Sequence, residues 1–120
     1  MIYKGRIVRW LTIVAMLAAG SVFGQEAVKK VSRTEAMQAA TTKVQPVYPA
    51  IAKQLKVEGV AELEALIDES GKVEKVTIVS GNPMLTRPSA EALKQWKFTP
   101  FTEEGKPVKA LAPINFIFKQ

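Results

Sequence analysis

Cysteine and histidine are both absent from the 120 residues. No thiolate or imidazole chemistry, no disulfide and none of the usual zinc ligand sets can be built, so no metal and no cofactor is expected. Internal repeats, low-complexity tracts and a Gly-rich phosphate loop are also lacking. Lysines are scattered among glutamates, and no basic run interleaves with aromatics. Phosphate binding needs a clustered basic face, which excludes nucleic acid as a partner. Ser80 and Ser89 have no histidine to activate them. Glu62 and Glu64 sit two apart in an expected strand, the spacing of a solvated face more than of a catalytic carboxylate pair. An enzyme is not expected.

The N-terminus carries a clear pattern. Lys4, Arg6 and Arg9 precede an apolar run from Trp10 to Ala19, broken only by Thr12. Val22 and Gly24 flank Phe23 before Gln25, which suits a signal-peptidase site. The run is short for a membrane span of about 20 residues. Residues 1–24 are therefore expected to be a signal peptide, with an uncleaved anchor as the alternative. The net charge of +6 includes three positive charges in this leader. The remainder is long enough for one small domain.

Residues 25–43 read as an N-terminal leader with a polar start and one short helix. Ser32-Arg33-Thr34-Glu35 fits a capping box, and Ala36, Met37 and Ala40 follow on one face. Gln45 and Tyr48 each precede a proline and should be extended, with Pro49 opening a second helix. Ala61, Leu63, Ala65 and Ile67 alternate with Val60, Glu62, Glu64 and Leu66, a strand pattern. A turn at residues 68–72 follows, with Gly71 at positive φ, and Val73–Val79 returns with a bulge near Glu74-Lys75. A helix is expected from about Thr86 to Lys97, because Pro88 fits its first turn and Leu85, Ser89, Ala92, Leu93 and Trp96 share a face. The last strand, 108–119, buries Ile114, Phe116 and Phe118. Pro113 deprives that strand of one donor and marks it as a sheet edge. These elements give an α+β domain over residues 44–120. Its three-stranded antiparallel sheet takes the order 2-1-3 and carries helices on one face.

The ordered series of motifs resembles the TonB C-terminal domain family. Gln45-Pro46-Val47-Tyr48-Pro49 followed by Glu58-Gly59-Val60 is similar to the family's opening. Ile67-Asp68-Glu69-Ser70-Gly71-Lys72-Val73 is similar to its hairpin, and Trp96-Lys97-Phe98-Thr99-Pro100 to its helix end. Gly105-Lys106-Pro107-Val108 and Ile114-Asn115-Phe116 resemble its closing turn and strand. Tyr48 is expected as a wedge between helix and sheet, and Trp96 and Phe98 as core anchors.

The resemblance implies a periplasmic domain that binds an extended peptide, the TonB box of an outer-membrane transporter, by adding it as a strand in TonB-dependent transport. The implied binding residues are Gln45, Pro46, Ala112, Ile114, Asn115 and Phe116. A structural role in the envelope, with edge strands pairing into a homodimer or a larger complex, is the alternative. An uncleaved leader would make the protein inner-membrane anchored, facing the periplasm, and would bring in inner-membrane motor proteins. One feature departs from the family: all seven prolines lie at Pro46 or later, where a full TonB protein has a long Pro-rich segment before this domain.

Overall fold

The computed structural model describes residues 27–120. The expected signal peptide, residues 1–24, lies outside the described residues. The elements in order are β1 (Val28–Lys30), α1 (Arg33–Ala39), β2 (Ala40–Thr42), α2 (Ala50–Gln54), β3 (Gly59–Ile67), β4 (Val73–Ser80), α3 (Pro83–Leu93), β5 (Lys97–Phe98), β6 (Phe101–Glu103) and β7 (Lys106–Phe118). The class is α+β, as the sequence pattern implied.

The main sheet runs β1-β7-β3-β4, with β6 paired to the start of β7. The expected 2-1-3 order is present as β4-β3-β7, and β1 extends it. Val28–Lys30 lies parallel to Lys109–Leu111, inside the segment read from sequence as a polar leader. Three residues carry too little periodicity to announce a strand, and the partner lies roughly eighty residues further along the chain. β2 and β5 form a separate two-stranded ribbon, also unannounced by the sequence.

The β3–β7 ladder is regular from Gly59↔Phe118 to Ile67↔Ala110. Its period of two sends Ala61, Leu63, Ala65 and Ile67 to the core with Ala110, Ala112, Ile114, Phe116 and Phe118. The opposite face keeps Glu62, Glu64, Asn115 and Ile117 toward solvent. β3 and β4 change register between Leu66↔Lys75 and Ile67↔Val73, so Glu74 is the extra residue of the expected bulge. A second register change falls between Glu62↔Ser80 and Leu63↔Ile78. Gly71 has φ +93°, and a Cβ there would run into the carbonyl oxygen of Phe98. Glycine is therefore required both by conformation and by close approach.

The third helix departs from its sequence reading at both ends. It starts at Pro83, because Asn82 caps Met84 N at 2.8 Å and proline suits the first helical position. Pro88 consequently lies inside the helix. Its missing N–H leaves one turn open, and Ser89 Oγ donates to Leu85 O at 2.7 Å just beside it. The helix stops at Leu93, so Trp96 is reached only after the helix has ended. Leu85, Ser89, Ala92, Leu93 and Trp96 are nevertheless all buried, as their spacing implied. Pro49 is the N-cap of α2 and not its first helical residue. The capping box at α1 is half made: Ser32 Oγ accepts from Glu35 N at 3.0 Å, while the Glu35 carboxylate turns to Lys29 at 3.8 Å.

Candidate functional site

β7 is the element around which the expected site was drawn. Its inner edge is fully paired with β3, and its outer edge is only partly covered. Val31 N donates to Leu111 O at 3.0 Å on the β1 side, so the Leu111 main chain faces outward. Main-chain polar groups alternate sides along a strand in step with its pleat. Pro113, Asn115 and Ile117 therefore face outward as Leu111 does, and Ala112, Ile114 and Phe116 face β3. The β1 register ends at Lys30↔Leu111, and no other strand among the described residues pairs with Pro113–Ile117 on this side. On this side five main-chain groups have no strand partner among the described residues: the carbonyls of Pro113, Asn115 and Ile117 and the N–H groups of Asn115 and Ile117. Pro113 places its missing N–H on this open edge, where it costs no ladder bond.

The six residues expected at the site do not share one position. Ala112, Ile114 and Phe116 point their side chains into the core and their main chain at β3. Asn115 alone of the β7 set faces outward. Gln45 and Pro46 lie on the helical side, where they line a cleft of about 260 Å³ with Val44, Val47, Pro88, Glu91, Ala92 and Gln95. Trp96 connects this segment to the strand. Its Nε1 donates to Val44 O at 2.9 Å, and its ring meets Phe116 edge-on with centroids 5.7 Å apart. Tyr48 packs edge-on against Phe118, centroids 5.3 Å apart, and its hydroxyl donates to Val57 O. The tyrosine is the wedge expected of it, joining the segment before α2 to the end of β7.

Sequence reasoning missed Ile117, which is 72% exposed beside the open edge, and Arg33. With the Asn115 amide turned so that both its groups are satisfied, Arg33 Nη2 donates to the amide oxygen at 3.2 Å and the amide nitrogen donates to Ile114 O at 3.2 Å. The alternation around Asn115 pointed to Ile117. Nothing local pointed to Arg33, which reaches the strand only because β1 delivers the start of α1 to its edge.

Among the described residues no group of His, Cys, Asp or Glu is placed to hold a metal, and no helix is long and apolar enough to cross a membrane. The candidate site is made of main-chain donors and acceptors on a strand edge, backed by a packed aromatic core. The fold defines a small α+β domain whose last long strand is only partly paired along one edge. The family model of the Gram-negative bacterial TonB protein C-terminal matches residues 44–119, and the chain belongs to this family. It is not an enzyme family. Protein TonB of Vibrio cholerae is 37% identical over 81 residues, covering 66% of this chain and 33% of that protein. Protein TonB of Salmonella typhimurium is 35% identical over 82 residues, covering 67% and 32%. The match spans about a third of these relatives' length. Among solved structures, the Pseudomonas aeruginosa TonB C-terminal domain has a TM-score of 0.57 at 28% identity, covering 68% of this chain and 84% of that one. The TonB2 protein of Vibrio anguillarum has a TM-score of 0.51 at 25% identity, covering 99% and 96%.

Proposed function

We propose that this domain binds an extended peptide segment as an added strand along Pro113–Ile117, in TonB-dependent transport in the periplasm, and that the segment belongs to an outer-membrane transporter. The observation that supports this most is the open run of five main-chain groups on β7, held rigid by its full ladder to β3. Main-chain bonds supply the affinity and alternate side chains the selectivity. Each bond contributes about 1 kcal/mol net, and ordering the peptide offsets much of that. The affinity is therefore on the order of micromolar or weaker. Gln45 and Pro46 serve as a second contact on the far side of Trp96. If the leader is retained as an anchor, inner-membrane motor proteins are the further partners.

NMR titration of the whole chain with peptides from outer-membrane transporters tests the reading. Shifts should concentrate on the Asn115 and Ile117 amides. Asn115→Pro removes an outward N–H while leaving the β3 ladder intact, and should weaken binding about tenfold or more. Lys75→Ala, on β4, should leave it unchanged. Shifts confined to α3 and its cleft would overturn the edge reading. Edge resonances that move with protein concentration in the absence of peptide would instead assign the edge to a homodimer, the alternative role in envelope assembly.

A further inference from the structure

A row of polar side chains crosses the open face of the sheet at right angles to the strands. Ser80 on β4, Glu62 on β3 and Asn115 on β7 are successive cross-strand partners. Ser80 Oγ donates to Glu62 Oε1 at 2.9 Å. Arg33, in the first turn of α1, continues the row past β7 through its 3.2 Å bond to the Asn115 amide. Its side chain is exposed, and among the described residues no carboxylate pairs with it. Glu62, the acid of the row, lies on the far side of Asn115 and is engaged by Ser80. Among the described residues the row therefore ends in a guanidinium with no ion-pair partner, at the edge where an added strand would lie.

A strand added at Pro113–Ile117 lengthens this row by one place. The residue opposite Asn115 sends its side chain to the same open face, with Cβ atoms about 5 Å apart. That position lies against Arg33. A guanidinium has five N–H donors in a planar fork, and Asn115 occupies only part of it. The remainder matches a carboxylate in two-point geometry, which a lysine or an apolar side chain would leave unpaired.

We infer that Arg33 is a specificity-determining residue that selects an extended segment carrying Glu or Asp opposite Asn115. The inference rests on the strand-addition reading and adds to it the chemistry of one ligand position. Arg33 is partly desolvated on binding but stays near water, so the preference is modest, about three- to tenfold for the acid over its amide. It should shrink as salt rises toward about 0.5 M, because exposed charges are screened.

The test uses the whole chain and three capped pentapeptides, Thr-Val-Glu-Val-Thr and its counterparts with Gln or Lys at the centre. Binding is read from the Asn115 and Ile117 amide shifts. Wild type should prefer the Glu peptide over the Gln peptide. Arg33→Ala should bring the ratio to about one while keeping binding of the Gln peptide, because main-chain bonds carry that binding. Arg33→Glu should reverse the order and favour the Lys peptide. A merely structural role for Arg33 would weaken all three peptides alike and produce no reversal. Equal binding of the Glu and Gln peptides to wild type overturns the inference and leaves the edge reading standing. Failure of every peptide to shift the edge amides overturns both.

Discussion

Trp96 is a buried anchor of this fold. It is 3% exposed, tilts against Phe98 with centroids 6.0 Å apart, meets Phe116 edge-on and donates its indole N–H to Val44 O. One side chain thus joins the chain just after α3, the last strand and the extended segment at Val44. Trp96→Ala should cost about 3–5 kcal/mol, from the cavity it leaves and the unpartnered Val44 carbonyl. Lys94→Ala, two residues away, should be near neutral, since its pair with Glu91 is 3.8 Å long and both side chains are mostly in water. Urea unfolding compares the two. A loss below about 1 kcal/mol at Trp96 would mean that the indole does not anchor the domain. The spacing of Leu85, Ser89, Ala92, Leu93 and Trp96 made this burial legible in the sequence. The stop of the helix at Leu93 was not legible, because the tryptophan keeps its place on the core side even after the chain has left helical geometry.

At the scale of the element, the turn between β3 and β4 carries an acid-sensitive device. The Asp68 carboxylate accepts from Ser70 Oγ at 2.7 Å, Ser70 N at 2.9 Å and Lys72 N at 2.9 Å. These bonds favour the charged form, the Ser70 hydroxyl most, and lower the Asp68 pKa from its ordinary value. The folded state therefore binds this proton less readily than the unfolded chain does. Its stabilisation is fully present above the ordinary carboxylate pKa and is lost as pH falls through the lowered folded value. The group is exposed, so the effect is small. Asp68→Asn should lower the urea midpoint at about pH 7, and the gap to wild type should close toward about pH 2. A gap that stays constant with pH would assign the effect to something other than the carboxylate. The Asp-Glu-Ser-Gly-Lys sequence announced this turn through its own side chains. α3 shows the opposite case. Pro88 suggested a helix start, but the stronger signal was Asn82-Pro83, an Asx cap followed by proline at the first helical position.

For the whole molecule, stability should grade outward from the β3–β7 ladder. That pair shares nine registered positions, whereas β1 holds three against the same strand. In hydrogen exchange the Ala65 and Ile114 amides should be among the slowest, opening only with global unfolding, while β1 amides open locally and exchange faster by orders of magnitude. Equal protection of β1 and β3 would show that the N-terminal strand unfolds only with the rest of the domain. The position of β1 also bounds the candidate site. By pairing with Lys109–Leu111 it leaves an open edge only from Pro113 onward, and it sets Arg33 beside Asn115.

The sequence by itself determined the α+β class, the three strands β3, β4 and β7, the bulge at Glu74, the requirement for glycine at position 71 and the buried faces. These follow from local rules: side-chain period, turn chemistry and the geometry of proline and glycine. Pro113 marked β7 as an edge strand, but β7 lies between β1 and β3 in the sheet and lacks an outer strand partner only beyond Leu111. Tertiary structure alone decided that Val28–Lys30 would pair with β7, that the main chain of Ala112, Ile114 and Phe116 would face β3 while that of Asn115 faced outward, and that Arg33 would stand at the end of the polar row. Each of these depends on which strand edge is left unsatisfied once the core has packed. Pairings across many residues are chosen by that remaining need for main-chain partners, which no short window of sequence contains.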